Sequence, residues 1–142
     1  MSQKIVPAEG KTFVAVYGSL RTGMSNYGVN LRAGAELVGK GRTVDNYDLH
    51  RYAGCYFPSV SLTHSDSEMP VVVEVFETTD AGLTGPYDSL EGYPSFYNRT
   101  VVPVVLDDGR EVDAWIYHID EKQKDVVASG DWVAYLDNLQ AA

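Results

Sequence analysis

The sequence predicts an α+β fold, with a small mixed barrel-like sheet and a few short helices. Two observations carry that prediction. Runs rich in β-branched and aromatic residues cover residues 12–17, 35–44, 71–76, 97–106 and 111–119. Helical patterns are few and brief, and much of the strand patterning alternates, as in a sheet that closes or nearly closes on itself.

Residues 12–17 end at Gly18 and read as a buried first strand. A loop follows over residues 21–26, with Asn26 placed to cap a short helix reaching Arg32. In the second strand, Gly39 and Gly41 signal a bulge or bend. Residues 47–52 and 59–63 read as further short strands, and 65–69 as a polar turn. The nearly all-apolar run 71–76 has the character of a central strand. Asp80 is placed to cap a helical stretch that Gly85-Pro86 interrupts before it resumes toward Glu91. Asp107-Asp108-Gly109-Arg110, between two strand patterns, marks a hairpin. A last helix is expected over residues 131–139, capped by Ser129 or Asp131. Its apolar face is Trp132, Val133 and Leu136, with Leu139 or Tyr135.

The chain of 142 residues suits one domain, residues 1–142, with one hydrophobic core. No run approaches the ~20 apolar residues that cross a bilayer. The first ten residues lack the apolar centre of a signal peptide, and one cysteine, Cys55, makes no internal disulfide; a cytoplasmic setting is the expectation. Cys55 itself is expected to be small and partly buried. A net charge of −9 without a basic cluster argues against nucleic acid and against an anionic membrane surface. His50, His64 and His118 are too far apart for a short metal motif, so no metal site is expected. Oligomeric state is not legible.

Two segments stand out chemically. Tyr17-Gly18-Ser19-Leu20-Arg21 takes a strand abruptly into a turn. A glycine there permits unusual backbone or close approach of a ligand, and amides freed at the turn can face a carboxylate or an oxyanion. The plainer reading is that Gly18 ends a strand and Tyr17 packs. The second segment is Tyr87-Asp88-Ser89-Leu90-Glu91-Gly92-Tyr93-Pro94. Glu91 closes a helical turn among Tyr87, Leu90, Tyr93, Phe96 and Tyr97, where desolvation raises a carboxyl pKa toward general acid/base use. Asp88 lies three residues earlier on the same face and, if ionised, pushes the same way. The plainer reading is a solvated glutamate at a helix end.

Together the two segments resemble the γ-glutamyl cyclotransferase-like family, in its branch of γ-glutamylamine cyclotransferase and AIG2-like proteins. The pattern is strand–Tyr17-Gly18-Ser19-Leu20-Arg21-x-Gly23-x-x-Asn26, then Asp88-x-x-Glu91-Gly92-x-Pro94-x-x-Tyr97-x-Arg99. It continues through Ala114-Trp115-Ile116-Tyr117 and Ser129-Gly130-Asp131-Trp132. The resemblance implies the γ-glutamyl cyclotransferase-like fold and an enzyme that cyclises a γ-glutamyl amide to 5-oxoproline, releasing an amine or amino acid. It implies a small-molecule γ-glutamyl substrate and no metal or organic cofactor. Carried onto this sequence, the resemblance implies that Glu91 is the catalytic acid/base and that Tyr17, Gly18, Ser19, Leu20 and Tyr117 bind substrate, with barrel packing the plainer reading of Tyr117. Asp88, Tyr97 and Arg99 support the site, Arg99 by pairing with an acid such as Asp88, and Asn26 and Arg21 support the loop. Where relatives carry glycine before the position of Glu74, this chain has Val73, which is expected to narrow or reshape the pocket. The competing reading is a non-catalytic binding or regulatory module that keeps the pocket.

Overall fold

The computed structural model of the protein describes residues 4–55 and 57–141. In chain order its elements are β1 (Lys11–Val16), α1 (Gly28–Arg32), β2 (Glu36–Asn46), β3 (Asp48–Arg51), β4 (Pro58–Ser61) and β5 (Pro70–Thr79). After them come α2 (Asp80–Gly82), α3 (Asp88–Glu91), β6 (Asn98–Leu106), β7 (Glu111–His118), β8 (Asp125–Val126) and α4 (Trp132–Ala141). Five strands close a barrel in the order β1-β5-β2-β6-β7, and β4-β3-β8 form a second, three-stranded sheet. The α+β, barrel-like expectation holds.

Closure is made by a parallel pairing of β1 with β7, with Val14 opposite Trp115 and Ala15 opposite Ile116. The other barrel neighbours are antiparallel. Parallel pairing brings the C-terminal ends of β1 and β7 to the same end of the barrel, and the candidate site lies there. Alternation explains why β1 and β5 are apolar on both faces. Phe13, Ala15, Val71, Val73 and Val75 point into the barrel core, while Val14, Val16 and Phe76 pack outward with Val29, Leu83 and Tyr87 from the helical segments. Full burial of a side chain such as Val75 contributes about 1.5–3 kcal/mol. The central strand expected at 71–76 is thus β5, paired on both sides.

Register shifts along β2, between Leu37 and Gly39 and between Arg42 and Asn46, are the irregularities that Gly39 and Gly41 signalled. Gly41 has a second reason to be glycine: a Cβ there would lie 2.3 Å from the Val105 carbonyl oxygen. The hairpin joins β6 to β7 as expected, and the two-residue β8 carried no legible signal.

Four local expectations need correction. Thr79, not Asp80, caps α2, its hydroxyl accepting from the Gly82 amide at 3.0 Å. The expected interruption at Gly85-Pro86 is present: Pro86 has no N–H to donate, and the chain widens into a π-helical stretch, Leu83–Tyr87, before α3. Asn26 does not cap α1; its side chain turns back to Ser19. Leu139 is exposed, and α4 packs through Trp132, Tyr135 and Leu136. At the start of that helix both expected residues act in sequence, Ser129 Oγ accepting from the Asp131 amide and Asp131 Oδ1 from Val133 and Ala134. Cys55 is exposed rather than partly buried.

Candidate active site

At the shared end of β1 and β7 the chain encloses a cavity of about 230 Å³. Tyr17, Gly18, Ser19 and Leu20 line one side, Leu90 and Glu91 come from α3, and Tyr97 and Tyr117 from the ends of β6 and β7. Phe57, Pro58 and Phe96 complete the wall, and Asn26 closes it beside the turn.

The turn is held by hydrogen bonds of its own. Arg21 N–H donates to the Gly18 carbonyl at 3.0 Å. Asn26 clasps Ser19 twice, its amide on the Ser19 carbonyl and Nδ2 on Oγ, each at 2.8 Å. Among the described residues, the N–H groups of Gly18, Ser19 and Leu20 meet no acceptor. Such a run of unpaired donors at a strand end is an anion-binding arrangement. Gly18 is required for a reason other than the expected backbone freedom, since no left-handed φ is needed there. Instead, a Cβ would lie 2.6 Å from Pro58 Cγ. The glycine lets β4 close over the turn.

Beneath the turn, Arg21 is buried among carboxylates. Its Nε donates to Glu74 at 3.0 Å and its Nη1 to Asp131 at 2.8 Å. Glu74 also accepts from the Thr22 amide and hydroxyl at 2.9 and 2.6 Å. These bonds to the charged form hold the Glu74 carboxyl below its ordinary range despite burial. Neither acid was singled out as Arg21's partner from the sequence, because residues 21, 74 and 131 meet only through barrel closure.

Glu91 is the last residue of α3, and Gly92 ends the helix in the left-handed region at φ 66° and ψ 34°. As a residue Glu91 is half-buried, yet protein surrounds its carboxyl closely enough that burial pushes the pKa up to about 7. No hydrogen bond or ion pair to that carboxyl occurs among the described residues. Burial raises the pKa values of Tyr17, Tyr97 and Tyr117, helped at Tyr117 chiefly by the Asp88 carboxylate and at Tyr97 by the Glu91 charge, so the three hydroxyls stay protonated. Two of them donate to backbone carbonyls, Tyr17 to Tyr117 and Tyr97 to Pro58, both at 2.7 Å.

Asp88 makes the expected pair with Arg99 but does not push on Glu91 as expected. It accepts from Tyr117 Oη at 2.6 Å and from Arg99 Nε and Nη2 at 2.8 and 3.1 Å. The Arg99 guanidinium is itself sandwiched between the Tyr93 and Trp115 rings, 4.3 and 4.5 Å from their centroids. Asp88 is therefore compensated and adds nothing to the shift at Glu91, which comes from burial alone. The structure brings Tyr17 to Leu20, Glu91, Tyr97 and Tyr117 around one cavity, with Asp88 and Arg99 behind Tyr117. Val73 is not there: it points into the barrel core and leaves the cavity untouched. Among the described residues, no group of three or more His, Cys, Asp or Glu is arranged to hold a metal ion.

The sequence profile of the family described as gamma-glutamyl cyclotransferase, AIG2-like, matches residues 14–134, which include every one of these site residues. The chain belongs to that family. A protein of Methanocaldococcus jannaschii named as a putative gamma-glutamylcyclotransferase is 34% identical over 123 residues, covering 87% of this chain and 97% of its own. In fold, the chain is similar to a mouse AIG2-like protein, with a TM-score of 0.72 at 24% identity over 82% of each chain. It is also similar to an uncharacterised protein of Pyrococcus horikoshii, with a TM-score of 0.66 at 21% identity over 92% of this chain and 97% of the other. Family membership supports a cyclotransferase-like activity on a small γ-glutamyl compound. No helix among the described residues is long and apolar enough to cross a membrane.

Proposed function

We propose that the protein is a γ-glutamyl-amide cyclotransferase in which Glu91 moves the proton and the Tyr17–Leu20 turn holds the glutamyl group. The observation that carries this reading is one cavity lined both by Glu91, whose carboxyl has a pKa of about 7, and by Gly18, Ser19 and Leu20, whose backbone amides meet no acceptor among the described residues. The substrate's α-carboxylate rests on the turn amides. Its α-ammonium faces Glu91, which takes a proton and leaves a neutral amine able to attack. The nitrogen adds to the γ-carbonyl carbon and closes a five-membered ring. A turn amide stabilises the tetrahedral oxyanion, the ring nitrogen releases its second proton to water, and the C–N bond to the leaving group breaks as Glu91 returns its proton to the departing nitrogen. The products are 5-oxoproline and a free amine.

Attack within one molecule makes positioning the main task of the protein, and a turn clamped by Asn26, Arg21 and Glu74 suits that task. A pKa near 7 suits a group that must accept and then donate at neutral pH. Tyr117, fixed by Asp88, and Tyr97, fixed by Pro58, wall the site and keep Glu91 from full hydration. The test is incubation with a panel of γ-glutamyl amides and γ-glutamyl amino acids, measuring 5-oxoproline and released amine. The reading expects both in equal amounts from γ-linked substrates and neither from α-linked isomers. Saturable ligand binding with no product from any γ-linked compound would favour a binding module instead.

A further inference from the structure

A relay of three polar side chains lies outside the cavity. Thr100 Oγ1 is 2.8 Å from His118 Nε2, and His118 Nδ1 is 3.0 Å from Asp120 Oδ1. The same Asp120 oxygen accepts from the Leu62 amide at 2.8 Å, which fixes the carboxylate. The polarity of the relay follows from its acidic end. A carboxylate only accepts, so Nδ1 carries the proton of the neutral imidazole and Nε2 turns its lone pair toward Thr100. The Thr100 hydroxyl then donates to Nε2, and its oxygen is free to attack.

The fold gives these residues the exposure that a nucleophile and its base need. Thr100 on β6 and His118 at the end of β7 share the barrel-core face of their strands with Val102 and Ile116. The His118 side chain is 7% exposed, whereas Thr100 is open to solvent. None of Thr100, His118 and Asp120 lines the Glu91 cavity. Backbone pairing already joins β6 to β7 from Asn98 opposite His118 to Val105 opposite Glu111, so the register does not depend on the relay. Water would satisfy an exposed hydroxyl equally well. Instead it meets a base oriented by a fixed carboxylate, within the roughly 2.6–3.2 Å that joins an activated alcohol to its base. Branching at Cβ restricts χ1 of Thr100 and helps keep Oγ1 on that line.

We propose that Thr100, His118 and Asp120 form a second acyl-transfer site, independent of the cavity, that takes small activated acyl esters or thioesters. Thr100 Oγ1 adds to the acyl carbon as His118 Nε2 takes its proton. The C–O or C–S bond of the donor breaks, and Nε2 passes that proton to the departing oxygen or sulfur. Water attacks the acyl-threonine in the same way, its proton going to Nε2 and then to Thr100 Oγ1 as the carboxylic acid leaves. Asp120 is a positioning residue, holding the tautomer in which Nε2 is the base.

The experiment treats the protein with p-nitrophenyl acetate, and separately with an alkyl fluorophosphonate that traps activated hydroxyls. It follows p-nitrophenol release and locates the label by peptide mass spectrometry. Both labels are expected on Thr100. Thr100→Val should remove them and lower protein-dependent release at least tenfold, within the ~10²–10⁴-fold that a positioned base supplies. Thr100→Ser, which keeps the hydroxyl, should retain both. Asp120→Asn, checked for wild-type thermal unfolding, should slow labelling of Thr100 at least tenfold by letting the ring take the other tautomer. Thr100→Val should leave 5-oxoproline formation from a γ-glutamyl amide unchanged. Label confined to lysines, or release unchanged in Thr100→Val, overturns the site. Labelling of Thr100 as fast in Asp120→Asn as in wild type overturns the relay, and a parallel loss of 5-oxoproline in Thr100→Val overturns its independence.

Discussion

Replacing Glu91 by glutamine should stabilise the protein, and by an amount that depends on pH in a defined way. The Glu91 carboxyl is raised from 4.5 to about 7 by burial, so the folded state disfavours its charge. Below pH 4.5 the group is protonated whether the chain is folded or not, and no cost arises. Between 4.5 and about 7 the unfolded chain releases a proton that the folded chain keeps, so wild-type stability falls as pH rises. Above 7 the cost is complete. At about 1.4 kcal/mol per pKa unit its ceiling is on the order of 3 kcal/mol, and water at the cavity mouth will reduce it. Glutamine does not titrate. The stability of Glu91→Gln minus that of wild type should therefore increase by roughly 1–3 kcal/mol from pH 4.5 to 8, equivalent to several degrees in Tm. Urea unfolding of both proteins across that range measures it. The pH-dependent part of the difference is the readout, because any constant offset reflects packing. A difference that stays flat above pH 5 would mean a solvated carboxyl of ordinary acidity and would refute the desolvation argument.

Three further outcomes follow from the surrounding contacts. Arg21→Ala strands the Glu74 and Asp131 carboxylates without their cation and should cost about 3–5 kcal/mol in urea unfolding. Gly18→Ala places a Cβ against Pro58 at 2.6 Å and should force β4 from the turn, costing about 1–3 kcal/mol with loss of ligand binding by calorimetry. His50 is wholly buried with neither ring nitrogen hydrogen-bonded among the described residues, and burial lowers its pKa despite nearby Asp48. Its neutral form is the folded one, so its contribution is complete above pH 6.5 and is lost as pH falls toward the lowered folded value. Wild type should lose more stability than His50→Leu between pH 7 and 5, and parallel curves by thermal unfolding would contradict this.

What was legible in the sequence follows from how local each feature is. Strands β1, β5, β6 and β7 announce themselves through period-two and β-branched patterning, and the hairpin through Asp107-Asp108-Gly109-Arg110. Glu91 at a helix end followed by Gly92 is equally local. The Asp88–Arg99 pair was within reach because both residues belong to one recognisable pattern. Residues acting through closure were harder. Glu74 faces Arg21 only because β5 lies against β1, and Pro58 enforces Gly18 only because the second sheet folds over the barrel end. The ring cluster of Tyr52, Phe57 and Phe96 joins residues that no spacing rule relates. Val73 misled for the opposite reason: family position suggested the pocket, while strand alternation sends its side chain into the barrel.

The measurement that tests the central claim most directly is the pH dependence of kcat/KM for 5-oxoproline formation, in wild type and in Glu91→Gln. With Glu91 as the group that accepts the proton, the wild-type rate should rise with pH through an apparent pKa of about 7, the value burial gives that carboxyl. Glu91→Gln should lose about 10²–10⁴-fold in rate and the rising limb with it. A rate unchanged in Glu91→Gln, or a limb that persists at the same pH in that variant, would contradict the assignment.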